Sequence, residues 1–273
     1  MATSRCKRYL YSALGIILLL GVWKLISMLV ASEIILPAPE QTLLKTVRFF
    51  IDPDFYRALG ITLLRGIAGF TISCAAGGIV GIAAGSWPRF HFLLRPFLST
   101  IKATPVMSVI LIALIWFSTG TVPVFSSFLM AFPIITGNII QGIREVDTDL
   151  LKMARVFNVP KGRVLTGIKI PSVFPFFLSG ASTALGITWK VVIAAEVLAQ
   201  PLHALGTGLY EAKLRLETAE VFAWTIIAIG LSAATEAIFH AIISRFRRGT
   251  PTATTGTSAT APKTPAAPGS PPP

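Results

Sequence analysis

Charged residues make up only 13% of this 273-residue chain, and cysteine occurs twice. An ordinary soluble domain carries roughly a quarter of its residues as charges. With 53% hydrophobic residues and a mean hydropathy of +0.72, this chain is excluded from that class and reads as an integral membrane protein. Cys6 precedes the first apolar run and Cys74 lies within the second, so they differ too much in membrane depth to pair. Cys6 also cannot be the modified cysteine of a lipoprotein signal, which follows such a run. No phosphate-cradling G-x-x-x-x-G-K-[ST] loop is present, so this chain is not an ATP hydrolase. HExxH, CxxC and GxSxG are likewise missing. His91, His203 and His240 are scattered, and Glu236 with His240 supplies only two groups. The reading is therefore of no catalytic residue, no metal site and no cofactor in this chain.

What is present is a series of apolar runs, which predict an all-α fold of six transmembrane helices. The first covers Leu10 to Ala31, 22 residues, too long for a signal-peptide core, and reads as an uncleaved span. Ser32 to Arg57 lies outside the membrane, with an interfacial helix over Glu40 to Ile51 resting on lipid. The later spans are placed at about Ala58 to Ser86, Phe97 to Phe117, Pro123 to Ile143, Ser172 to Leu198 and Val221 to Ser244. Gln200 to Glu220 reads as an outer loop, with Leu205 to Gly208 as its turn. Residues 1–9 form a short N-terminal segment, 10–246 the six-span domain, and 247–273 a Pro/Ala/Thr-rich tail expected to be disordered. In the second span Gly69, Ser73, Gly77, Gly81 and Gly85 recur every four residues, a stripe suited to close helix packing or to gating. Pro105 and Pro133 interrupt the third and fourth spans, as kinks or as sites lining a polar cavity.

An even number of spans puts both termini on one side. That side holds fourteen Lys and Arg residues, while the other holds five beside seven acids. The positive-inside rule makes the richer side cytoplasmic. The net charge of +12 is thereby explained by topology, and no nucleic-acid partner is implied.

The longest cytoplasmic loop, residues 144–171, is also the best patterned. Leu150, Met153, Ala154 and Phe157 share one helical face, with Asp149, Lys152 and Arg155 opposite. Asp147 can cap the start of this helix, Asn158 can take a left-handed conformation after its end, and Pro160 stops it. A second short helix is predicted through Arg163 and Leu165 to Pro171.

This loop resembles the cytoplasmic loop of ATP-binding-cassette (ABC) importer permeases, E-A-A, three residues, Gly, nine residues, I-x-L-P. Lys152-Met153-Ala154 stands in the first position, Asn158 in place of Gly, and Ile168-Lys169-Ile170-Pro171 closes the pattern without a gap. The strings LPAPE at Leu36 to Glu40, LLRGIAGF at Leu63 to Phe70, WFSTG at Trp116 to Gly120 and WKVVIAAEVLA at Trp189 to Ala199 are similar to those of the nitrate, sulfonate and taurine group. The resemblance implies a type I ABC importer permease in the cytoplasmic (inner) membrane of a bacterium. It also implies partners: a separate ABC ATPase subunit, a second permease subunit, identical in a homodimer, and a periplasmic or lipid-anchored solute-binding protein. Carried onto this chain, the ATPase-coupling surface would comprise Leu150, Ala154, Phe157, Asn158, Pro160 and Pro171, rimmed by Asp149, Lys152 and Arg155.

Lys24, Arg65, Lys190, Glu196 and Glu236 are charges within or at the ends of spans. Each costs about 2.5–3.5 kcal/mol at mid-bilayer unless it snorkels, pairs or lines a polar cavity. Lys24 and Arg65 lie within snorkelling reach of the outer surface and read as structural. Pro105, Lys190 and Glu196 are candidates for the translocation pathway, with Lys190 offering positive potential to an anionic solute and Glu196 shaping the outer mouth. Neutralisation of Lys190 by Glu236 or another helix is the open alternative. A rival class, an ion-coupled secondary transporter or channel, would use the same charges but leaves the patterned loop without a purpose.

Overall fold

The computed structural model describes residues 2–248, including side chains except at 2–10, 12 and 246–248. The Cys6 side chain and, from residue 249 on, the Pro-rich tail lie outside what is described. All the regular structure among the described residues is helical. In order the helices are α1 (Ala2–Val30), α2 (Pro39–Phe49), α3 (Pro53–Ser86), α4 (Pro88–Ala103), α5 (Val106–Trp116), α6 (Val122–Arg144), α7 (Thr148–Val156), α8 (Lys161–Val164), α9 (Ile170–Ala199), α10 (Leu205–Leu214) and α11 (Thr218–Arg248).

Among the described residues five helices are long and apolar enough to cross a membrane, and a sixth crossing is made only if α4 and α5 count together. The third span differs from the expected continuous run. Pro105 caps α5 in extended geometry and the chain turns by 100° between the two helices. Proline lacks the N–H that would continue the ladder, and it pushes the preceding Thr104 out of helical geometry, to φ −73° and ψ 128°.

The centre is built by α3, α6 and α9. Ile135, Ile139 and Ile143 of α6, spaced by four, face Gly77, Gly81 and Gly85 of α3, also spaced by four. A Cβ on Gly81 would sit 2.9 Å from that of Ile139, and one on Gly85 would sit 2.6 Å from Ile143 Cδ1. Only bare backbone admits these ridges. Further along the stripe Gly69 abuts Ser127, and the Ser73 hydroxyl donates to the carbonyls of Gly69 (2.7 Å) and Phe128 (3.2 Å). On the other face of α6, Gly142 and Gly180 let α9 approach through Phe176 and Asn138. Buried threonines need no distant partner here: Thr136 and Thr188 donate to the carbonyls of Phe132 and Ala184, four residues back.

By contrast α1 is almost wholly exposed and is tied down at one end. Trp23 Nε1 donates to the Pro37 carbonyl (3.1 Å), Trp23 stacks on Phe222, and Lys24 pairs with Glu40 of α2. The Lys24 ammonium holds the exposed Glu40 carboxyl below its ordinary range.

Candidate functional site: a patterned loop and a buried carboxylate at opposite ends

At one end of the molecule α7 is capped as its residues dictate. Asp147 Oδ1 accepts from the N–H groups of Asp149 (2.8 Å) and Leu150 (3.4 Å), two of the donors that a helix start leaves unpaired. The helix ends at Asn158, φ +49°, where Val159 N–H reaches back to the Ala154 carbonyl (2.9 Å) and Pro160 turns the chain away.

One member of the predicted apolar face behaves differently from the rest. Ala154 is buried, at 5% exposure, while Met153 and Phe157 are 52% and 73% exposed and Leu150 is also exposed. Ala154 is therefore withdrawn from the surface open to a partner. Val156, 77% exposed, joins that surface although the heptad-like count omitted it. Asp149 pairs with Lys152 (2.8 Å), and both side chains are largely in solvent. A pocket of about 690 Å³ opens beside the turn, between Ala154, Arg155, Asn158 and Pro160 on one side and Leu165 and Lys169 on the other.

The second short helix of the loop is corrected. It lasts only from Lys161 to Val164, then passes through a π-helical turn, Leu165–Lys169, directly into α9. Pro171 thus lies within a helical run continuous from Lys161, and the π turn just before it loosens the ladder where its N–H is missing. The loop is consequently joined to α9 without a break.

At the far end of α9, about 40 Å along at 1.5 Å per residue, stands Glu196. Its side chain is completely buried. It accepts from Arg65 of α3 (2.9 Å), from the Thr62 hydroxyl, 3.0 Å from both carboxylate oxygens, and from Gly206 N–H of α10 (3.2 Å). Thr62 Oγ1 in turn accepts from Leu205 N–H (3.1 Å). One carboxylate therefore ties three helices together. Residues 205–208, read as a turn, are instead the first turn of α10. Gly206 is required there, because a Cβ would lie 2.5 Å from Glu196 Cβ and 2.7 Å from the Ile193 carbonyl oxygen.

These positions correct two expectations. Glu196 does not border an opening, and Arg65 does not snorkel: each is the other's partner. An Arg in the second span and a Glu in the fifth, both near the same membrane surface, were the signal for this pair. Lys190 is exposed, next to the buried Trp189, and no carboxylate of the described residues lies within 4.0 Å of it. Glu236 stands 3.9 Å from His240 instead. Pro105 is exposed at the α4–α5 bend. The structure brings none of Pro105, Lys190 and Glu196 into a common lining. Lys102, one turn before that bend, was overlooked among the intramembrane charges.

Comparison with known proteins adds the following. The model for binding-protein-dependent transport system inner membrane components matches residues 77–248. A putative aliphatic sulfonates transport permease protein of Bacillus subtilis is 28% identical over 77% of this chain and 76% of its own. A taurine transport system permease protein of Escherichia coli is 25% identical over 67% of this chain and 69% of its own. A bicarbonate transport system permease protein of Synechococcus elongatus is 26% identical over 59% of each. Among solved structures, one described as an amino acid ABC transporter with histidines superposes with a TM-score of 0.58 at 18% identity, covering 75% of this chain and 97% of that one.

Proposed function

The chain belongs to the family of binding-protein-dependent transport system inner membrane components, and from that premise we propose how its two ends divide the work of an ATP-driven importer. It is a transport permease subunit of the ABC class and not an enzyme. In our reading, six spans carry both termini and the 147–171 loop on the cytoplasmic side of a bacterial inner membrane. A second copy of the chain completes the pathway, a separate ATPase docks on the loop, and a periplasmic or lipid-anchored binding protein delivers the solute on the other side.

The observation that carries this reading is the exposed apolar surface of α7. Leu150, Met153, Val156 and Phe157 stand out from a helix fixed at its start by the Asp147 cap, with Asp149, Lys152 and Arg155 around them. An apolar centre with a charged rim is the composition of a specific protein contact. Because the turn after α7 leads into α8, and α8 runs through the π turn into α9, displacement of α7 by a closing ATPase dimer is passed into a helix of the central bundle. The solute is read as small, polar and anionic, with Lys190 and the Pro105 bend as pathway candidates. The relatives named for sulfonates, taurine and bicarbonate support that class.

Phe157→Asp tests the coupling. The variant should insert normally, lose the copurifying ATPase and lower ATP-driven uptake in reconstituted vesicles at least about tenfold, in line with the 2 kcal/mol or more of an interface anchor. Undiminished ATPase capture and uptake would overturn it. Uptake that followed an ion gradient without ATP would favour the secondary-transporter reading.

A further inference from the structure

Where α4 meets the last two turns of α6, basic side chains face one another. His91, Arg95 and Lys102 fall at i, i+4 and i+11 on one stripe of α4, opposite Gly137, Gln141 and Arg144 on one stripe of α6. They line a pocket of about 330 Å³, whose one acidic group is Glu145 at the rim. None of the cationic side chains lies within 4.0 Å of a carboxylate of the described residues. Arg95, Lys102 and Arg144 have thus been gathered with His91 and no ion-pair partner within 4.0 Å among the described residues. His91 Nδ1 is buried there and has no hydrogen-bond partner.

The pocket has depth as well as charge. Arg144 is shared with the neighbouring cleft at the root of α7, which places that end at the membrane surface bearing the loop. Lys102 Nζ lies 3.5 Å from where a Cβ on Gly137 would be, so the absent side chain leaves room for the ammonium over bare backbone. Gly137 is seven residues before Arg144, about 10 Å deeper along the helix. On the opposite face of α4, Leu93 and Phe97 are 74% and 55% exposed. The pocket therefore sits at the boundary of the apolar belt, open at its charged end.

We infer that this cleft between α4 and α6 is a binding site for an oxyanion of the phosphate or sulfonate type. Arg144 and Arg95 hold the group at the mouth, the Lys102 ammonium meets it from the deep end, and His91 donates from the side. Arginine forks match such oxygens in pairs, and basic pockets between helices at this surface take anionic lipid headgroups. Either an anionic phospholipid or a soluble oxyanion presents that chemistry. The inference needs only the membrane location of the chain, and neither the ATPase nor uptake enters its test.

The full-length chain, purified in neutral detergent, is titrated with phosphatidylglycerol or phosphatidylcholine and read by native mass spectrometry, and with inorganic sulfate by calorimetry. Retention of phosphatidylglycerol that is about thirty-fold weaker in the Lys102→Gln/Arg144→Gln double variant, and restored in Lys102→Arg/Arg144→Lys, supports the site with lipid as the source. That magnitude follows from about fivefold per cationic side chain at an anionic surface. The same losses for sulfate with no preference between the lipids support it with a soluble source. Gly137→Leu, which removes no charge but fills the cleft, should behave like the double variant, and it decides the matter if that variant fails to fold. Arg89→Gln, outside the pocket, should bind like the parent. No preference for either anion, full binding in Gly137→Leu, or equal loss in Arg89→Gln would overturn the inference.

Discussion

The two ends of α9 treat hydropathy in opposite ways. At the Glu196 end a carboxylate is buried against a partly buried guanidinium and both of its oxygens are occupied, while at the α7 end Phe157 and Val156 are more than 70% exposed. Charge inside and apolar surface outside are both costly when isolated. The first is tolerated because the partners come from within this chain: Arg65, Thr62 and Gly206. The second has no partner within it. The Glu196 end is therefore a finished joint, and the α7 end is a surface that another protein must complete.

The strongest way to break this contrast is Glu196→Leu. It leaves the partly buried Arg65 without its counter-charge, which should cost about 2–4 kcal/mol and lower the thermal unfolding temperature in detergent. Adding Arg65→Leu should recover most of that loss, since removing both charges replaces a buried pair with apolar contacts. An unaltered melting temperature in Glu196→Leu alone would show that the joint does not hold that end of the bundle together. By comparison, Phe157→Asp should leave the melting curve of the isolated permease unchanged, because that ring is in solvent.

An intermediate effect is expected between the two ends, where α3 lies on α6. Gly81→Leu must force Ile139 aside and should cost about 1–3 kcal/mol, measured by the same melting experiment. Gly78→Leu, three residues away, meets nothing within 4 Å and should be close to neutral within this chain. Equal sensitivity at the two positions would mean that the stripe is not the packing seam that the geometry describes.

How much of this was legible beforehand follows from the range of the interactions. The all-helical class, the cap at Asp147 and the left-handed Asn158 depend on residues a few positions apart, and each could be read directly. The stripe from Gly69 to Gly85 announced a close approach, but not that Ile135, Ile139 and Ile143 would be what approached. Arg65 and Glu196 lie 131 residues apart, so each was assigned a separate fate when taken alone. The burial of Ala154 was equally out of reach: helical periodicity groups it with Leu150 and Phe157, and only the folded chain separates them. The 100° bend at Pro105 was visible as an interruption and not as an angle, because proline removes a hydrogen bond without dictating where the next helix goes.

The smallest effect sharpens the comparison at the α7 end. Asn158 holds φ +49°, a conformation costing about 1–2 kcal/mol for most residues but readily adopted by glycine. Asn158→Val should therefore loosen the turn, and Asn158→Gly should not. Because few buried contacts surround the turn, the change should remain local. Amide exchange in α7 should quicken about five- to thirty-fold in Asn158→Val, with melting of the whole chain unmoved. If the valine variant instead lowered the melting temperature as far as Gly81→Leu, the loop would be part of the folding core rather than a pre-shaped surface carried on it. If it changed neither exchange nor ATPase capture, the turn would not be what presents α7 to its partner.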